Sequence, residues 1–171
     1  LQIIHLPIFW TILIDIGAWA FFHIVISLSM AIIPVHFFEK ENSLYKLRKW
    51  EKSGELWERL FSVRLWKHLI PDGSKIIRKG FEKNILASND KRYLKLFVIE
   101  TKRAELTHWV SILPAGLFFL WNPAWAGWIM VAYALLFNLP IIIVQRYNRP
   151  RIERFLSRKR KTRVTKEVVL K

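Results

Sequence analysis

Residues 100–121, ETKRAELTHWVSILPAGLFFLW, and residues 124–151, AWAGWIMVAYALLFNLPIIIVQRYNRPR, decide the fold. Each contains an apolar run, only Asn122-Pro123 separates them, and their polar residues sit at the outer margins of the pair. Two membrane helices joined by so short a break form a hairpin. Glu100, Arg103, Glu105 and His108 at one end then face Gln145, Arg146, Tyr147, Asn148, Arg149 and Arg151 at the other, and chemistry is expected there. His108 to Trp121 covers about 20 Å of α-helix and Arg103 to Trp121 about 27 Å, against a hydrocarbon layer of about 30 Å. To cross, the helix must draw Glu105 and His108 below the headgroups. These two are i, i+3 neighbours on one face, Ser111 continues the row, and Pro114 frees the carbonyl of Val110 and bends the helix.

Working outward, charge and apolarity are segregated along the chain. The 171 residues are 53% apolar yet carry a net charge of +15. Residues 1–38 hold no Lys or Arg, 39–103 hold 17, 104–144 none and 145–171 hold 11. Basic residues collect on the cytoplasmic side of membrane helices, so three spans with both basic blocks inside place the N-terminus outside. Trp10, Trp121, Trp125 and Trp128 fall on the opposite side as an aromatic belt. A nucleic-acid reading of the positive charge is less economical, and none is expected as a partner. Without cysteine there is no disulfide, zinc-thiolate site or thiol nucleophile.

The expected fold is therefore an all-α integral membrane protein with amphipathic interfacial helices between its first two spans. Residues 1–38 carry the first span, about 8–33, which lacks a basic n-region and reads as a retained anchor. Asp15 and His23 interrupt it: Asp15 is a candidate for function or reaches the interface about two turns from the outer end, and His23 is a candidate for function or a neutral imidazole bonded to a neighbouring helix. Residues 39–90 form a basic amphipathic region: Asn42 or Ser43 can cap a helix through about Lys52, and a second piece runs Glu55 to Phe61. Trp50, Trp57 and Trp66 suit either the headgroup layer or a small cytosolic cap. Residues 91–151 form a long helix, capped by Asn89 or Asp90, continuing into span two (about 104–121), then span three (about 124–145). Residues 152–171 are a basic tail that lies on anionic lipid or stays mobile.

Glu105-x-x-His108 fits more than one role. A carboxylate one turn from an imidazole can raise its basicity, as a general base for an alcohol requires. The same spacing is half of a carboxylate-bridged di-metal site, but no second copy exists, so no metal is expected. It also fits a salt-bridged helix start. In QRYNRPR, positive-inside anchoring is the plain reading, while neutral donors interleaved with arginines suit a phosphate or a developing oxyanion. His68 precedes the turn Pro71-Asp72-Gly73 and joins the candidates.

ETKRAELTHWVSILP, NLPIIIVQRYNRPR, EKSGELW and VRLWKHLIPDG together resemble the glycosyl-4,4'-diaponeurosporenoate acyltransferase family of bacterial carotenoid biosynthesis, from about Pro34 to Arg151. The resemblance implies a membrane O-acyltransferase that places a fatty acyl chain on the glucose 6-hydroxyl of a glycosylated C30 carotenoid acid, completing a staphyloxanthin-type pigment of the cell membrane. It implies an acyl-CoA or acyl-carrier-protein thioester as co-substrate, with no other cofactor. On that reading His108, oriented by Glu105 or Glu100, deprotonates the sugar hydroxyl, and Ser111 is a lesser option as an acyl-enzyme nucleophile. Arg146, Asn148 and Arg149 hold the carrier phosphate or the oxyanion, with Arg103, Gln145, Tyr147, Arg151 and His68 completing the binding set. The alternative is a non-catalytic membrane scaffold that docks other carotenoid-pathway enzymes.

Overall fold

A computed structural model describes residues 2–40, 42–43, 45–70 and 91–169. The expected turn at 71–73 and the expected caps at 89 and 90 lie outside these residues. Among the described residues all regular structure is helical: α1 (Ile8–Ile32), α2 (Val35–Glu39), a 3-10 segment (Lys49–Gly54), α3 (Glu55–Phe61), α4 (Val63–Trp66), a 3-10 turn (Lys67–Leu69), α5 (Lys91–Ile112), a 3-10 segment (Leu113–Leu120) and α6 (Ala124–Val169). The chain divides into two compact units, Leu1–Lys40 with Arg103–Ile142, and Glu41–Lys102 with Ile143–Lys171. All but two of the 28 Lys and Arg residues, Lys40 and Arg103, belong to the second unit. The charge blocks of the sequence are thus the blocks of the fold.

In the first unit, prolines at 7 and 34 bound α1, since neither ring nitrogen can donate to a helix. Only Asp15 and Trp19 of its 25 residues are buried. An apolar helix whose side chains point outward is stable in hydrocarbon, where they need no partner. α1 and Ala124–Arg158 of α6 are long and apolar enough to cross a membrane.

The expected second span is not one regular helix. α5 ends at Ile112, and Leu113–Leu120 continues as a 3-10 helix with Pro114 at its start. The missing N–H of proline withdraws an i→i−4 bond where the winding tightens. Tight winding stacks residues three apart, so Ala115 and Phe118 share one edge, and both are buried against Trp19 and Ala134. At about 2.0 Å per residue the 3-10 segment reaches about 16 Å, where α-helix would give about 12 Å. Glu105 to Leu120 therefore spans about 26.5 Å, where an all-α path would give about 22.5 Å, and the expected shortfall narrows.

Polar pins fix this apolar unit. Asp15 accepts from Trp121 Nε1 (2.7 Å) and Asn122 Nδ2 (2.8 Å), tying α1 to the turn before α6. Trp19 donates to Met130 Sδ (3.3 Å) and stacks on Phe118 and His23. Arg103 donates to the carbonyls of Ala31 (3.3 Å) and Ile33 (3.3 Å), groups orphaned where α1 ends.

In the second unit α3 has the expected bounds, but the helix expected from Asn42 or Ser43 to Lys52 does not form. Asn42 instead closes a turn to Tyr45 and Lys46, and the 3-10 segment begins at Lys49. Lys52, Ser53 and Gly54 then take left-handed conformations (φ 45°, 56° and 89°). For the two residues with a Cβ this costs about 1–2 kcal/mol each. The contacts made around this turn offset the strain. α6 also runs past the expected span end at 145 without a break, so the tail is helical through Val169.

Candidate active site

His108 lies on α5 in the first unit, half-buried, with Nδ1 2.8 Å from Oδ1 of Asn138 on α6. Asn138 is buried, and its Nδ2 donates to the carbonyl of Ala134 one turn back (2.8 Å). That second bond fixes the amide, because a flipped Asn138 would set its oxygen against the oxygen of Ala134. The amide oxygen must accept, so Nδ1 of His108 carries the proton and Nε2 carries the lone pair. This is the tautomer a general base needs. Glu105 is buried on the same face of α5. Ser111 donates back to the Thr107 carbonyl (2.8 Å), engaging its hydroxyl proton within its own helix.

The sequence reading missed Asn138. A single amide inside the run ALLFNLPIIIV was the available signal, since a polar group in such a run needs a partner.

The second unit gathers the QRYNRPR residues around the left-handed turn. Arg146 donates from Nε to Glu51 Oε2 (2.9 Å) and from Nη2 to Oε1 (2.7 Å), a bidentate pair. Glu51 is fully buried and also accepts from the Arg48 backbone N–H (2.9 Å) and Trp57 Nε1 (2.9 Å). Burial alone would raise the Glu51 pKa, but the bonds from Arg146, Arg48 and Trp57 outweigh it and hold it below the usual carboxylate range. Arg149, fully buried, donates to the carbonyl of Tyr45 (2.9 Å).

Pro150 explains why a glycine stands opposite. Having no N–H, it cannot bond the carbonyl of Arg146 four residues back. Gly54 covers that stretch so closely that a Cβ would lie 3.2 Å from the Arg146 oxygen, 3.1 Å from the Tyr147 oxygen and 3.2 Å from Pro150 Cγ. EKSGELW and QRYNRPR, distant in sequence, are therefore packed against each other.

Tyr147 is buried, accepts from Arg64 Nε (3.1 Å), and carries Arg151 (3.9 Å) and Lys67 (5.3 Å) over its ring. Gln145, Asn148 and Glu100 are half-buried in this unit, and His68 is exposed on the 3-10 turn. Arg103, placed by sequence in the binding set, sits in the first unit at the end of α1. Neither Glu51 nor Arg64 was anticipated as part of the site.

Each unit thus has its own polar centre, an imidazole with its lone pair on Nε2 in the first and a set of anchored guanidinium groups in the second, in a chain with helices of membrane length. Comparison with known proteins gives this chain its family. Residues 41–158 match the family model for glycosyl-4,4'-diaponeurosporenoate acyltransferase. The chain is 36% identical over 143 residues to the protein of that name from Staphylococcus haemolyticus, covering 84% of this chain and 83% of that one. It is 43% identical over 124 residues to one from Staphylococcus aureus, covering 72% and 74%. No solved structure matches. The chain belongs to the glycosyl-4,4'-diaponeurosporenoate acyltransferase family, and is an acyltransferase.

Proposed function

We propose that the protein is a membrane O-acyltransferase that esterifies a fatty acyl chain onto a sugar hydroxyl, the glucose 6-hydroxyl of a glycosylated C30 carotenoid acid. The names of the relatives support the acceptor class. The observation that carries the mechanism is the bond from His108 to Asn138, which leaves Nε2 as the acceptor. Nε2 takes the proton as the sugar oxygen attacks the thioester carbonyl. The C–O ester bond forms, the C–S bond breaks, and the thiolate leaves with the proton returned by the imidazolium. The donor is a coenzyme A or carrier-protein thioester.

Three spans place the N-terminus outside and the basic residues on the cytoplasmic side, with the α5 and 3-10 path from about 104 to 121 as the second. The length of that path supports its crossing. Such a topology would keep His108 just below the headgroups, where an acyl chain and a carotenoid tail both stay in lipid while their polar heads react. Asn148 and Gln145, half-buried in the second unit, would meet the donor phosphate. The test is purified protein given a glycosylated carotenoid acid and an acyl thioester, with ester product followed by mass spectrometry. Ester from the wild-type chain, and a rate lower by about 10²–10⁴-fold from His108→Ala, is expected. Full activity in the variant removes the base, and no product from the wild type unless pathway partners are added favours a scaffold.

A further inference from the structure

Arg64, Lys67 and Arg151 converge on one buried phenol in the second unit. Arg64 is anchored through Nε to the Tyr147 hydroxyl, and the other two are held over its ring. Glu58, 3.7 Å from Arg64, answers one of these three cations. The crowding shows in Lys67, whose pKa is pushed down by burial and then by Arg151. Arg64 keeps 65% of its side chain exposed, so the cluster opens outward.

Beside these cations stand two leucines with no reason to face water. Leu65 is 74% exposed and Leu69 is 72% exposed. They are four residues apart, flanked by Leu60 and Phe61, which are also exposed. Trp66 donates to the Phe61 carbonyl (2.7 Å), which sets this ridge. An apolar ridge beside fixed guanidinium groups matches the boundary of an anionic membrane, where acyl chain and phosphate lie at adjacent depths.

We propose that Arg64, Lys67 and Arg151, seated on Tyr147, bind the phosphate of an anionic phospholipid headgroup, with Leu65 and Leu69 entering the acyl boundary beside it. A guanidinium already fixed by Tyr147 loses little side-chain freedom when it takes a phosphate. The inference rests on the membrane reading above but not on the role of His108.

The chain has no cysteine, so Leu65→Cys and Leu69→Cys each give a single attachment point for a spin label. The full chain is reconstituted in phosphatidylcholine vesicles with and without phosphatidylglycerol. Label accessibility is read with oxygen, which partitions into lipid, and with a water-soluble nickel chelate. Protection from nickel that deepens with phosphatidylglycerol is expected. Retention of phosphatidylglycerol by the detergent-solubilised chain, read by native mass spectrometry, should fall about fivefold for each of Arg64→Gln, Lys67→Gln and Arg151→Gln. The Arg64→Lys and Arg151→Lys pair keeps the charge and should keep the lipid response, which separates lost binding from lost folding. Labels open to nickel in both lipids would overturn the proposal. So would a response to phosphatidylglycerol that survives the three glutamines, or coenzyme A moving the labels where phosphatidylglycerol does not. Undiminished acyl transfer in His108→Ala would remove the base mechanism without altering label depth, so the two failures are distinguishable.

Discussion

Glu51 and Arg146, separated by 95 positions, form a bidentate pair in which the carboxylate also takes the Trp57 indole N–H. With both partners buried, removing one leaves a desolvated charge behind. Such truncations cost about 3–5 kcal/mol. Glu51→Ala should lower the thermal midpoint of the purified protein sharply. A midpoint equal to wild type would show that the pair does not hold the second unit together.

The same pair sets an acid response. Because the folded pKa of Glu51 lies below its unfolded value, its stabilisation is complete above the ordinary carboxylate pKa and is lost as pH falls through the folded one. Stability of the wild type should therefore fall on acidification below about pH 4.3. Glu51→Gln should be less stable at neutral pH and should lack that part of the slope. Unfolding curves across a pH series, compared between the two proteins, check it.

Gly54 is argued from both conformation and space. Its φ of 89° disfavours any Cβ, and the nearest backbone oxygens stand 3.1 and 3.2 Å from where one would be. Gly54→Ala should cost about 1–3 kcal/mol. Gly116→Ala, where an added Cβ meets nothing within 4 Å, is the control and should be tolerated. Equal stability of the two variants would refute the close approach.

What the sequence could and could not disclose follows from the range of each interaction. The apolar stretches needed only length and the lack of Lys and Arg, so α1 and α6 were legible, as was α3 from its amphipathic pattern. The helix expected over 42–52 failed because Asn42 and Ser43 give a local cap signal, whereas Glu51 is drawn to Arg146 far along the chain and Gly54 to the gap beside Pro150. Local propensity yields to such contacts. Arg103 looked like a ligand-binding arginine because its proximity to the end of α1 is invisible in sequence. His108 was legible as a candidate base. Its orienting partner was not, because Asn138 lies 30 positions away.

Asp15 is a carboxyl group inside an apolar helix, and its bonds to Trp121 and Asn122 account for its presence without a catalytic role. Asp15→Asn keeps an acceptor and should fold. Asp15→Leu leaves both donors unsatisfied and should cost about 1–3 kcal/mol per lost bond at most. Limited proteolysis and thermal melts compare the two. If Asp15→Leu is as stable as wild type but inactive, the carboxylate acts in chemistry instead.

On the proposed mechanism Asn138 is a positioning residue, and its substitution should move kcat more than KM. Without the amide oxygen, His108 can hold its proton on either nitrogen, and molecules with Nε2–H cannot act as base. Removing the base outright, in His108→Ala, should lower kcat by about 10²–10⁴-fold. Asn138→Leu should produce a smaller drop with KM unchanged. Nitrogen chemical shifts of labelled His108 read the tautomer independently of turnover. Wild-type protein with the proton on Nε2, or an Asn138→Leu enzyme with unaltered kcat, would end the assignment of His108 as the base.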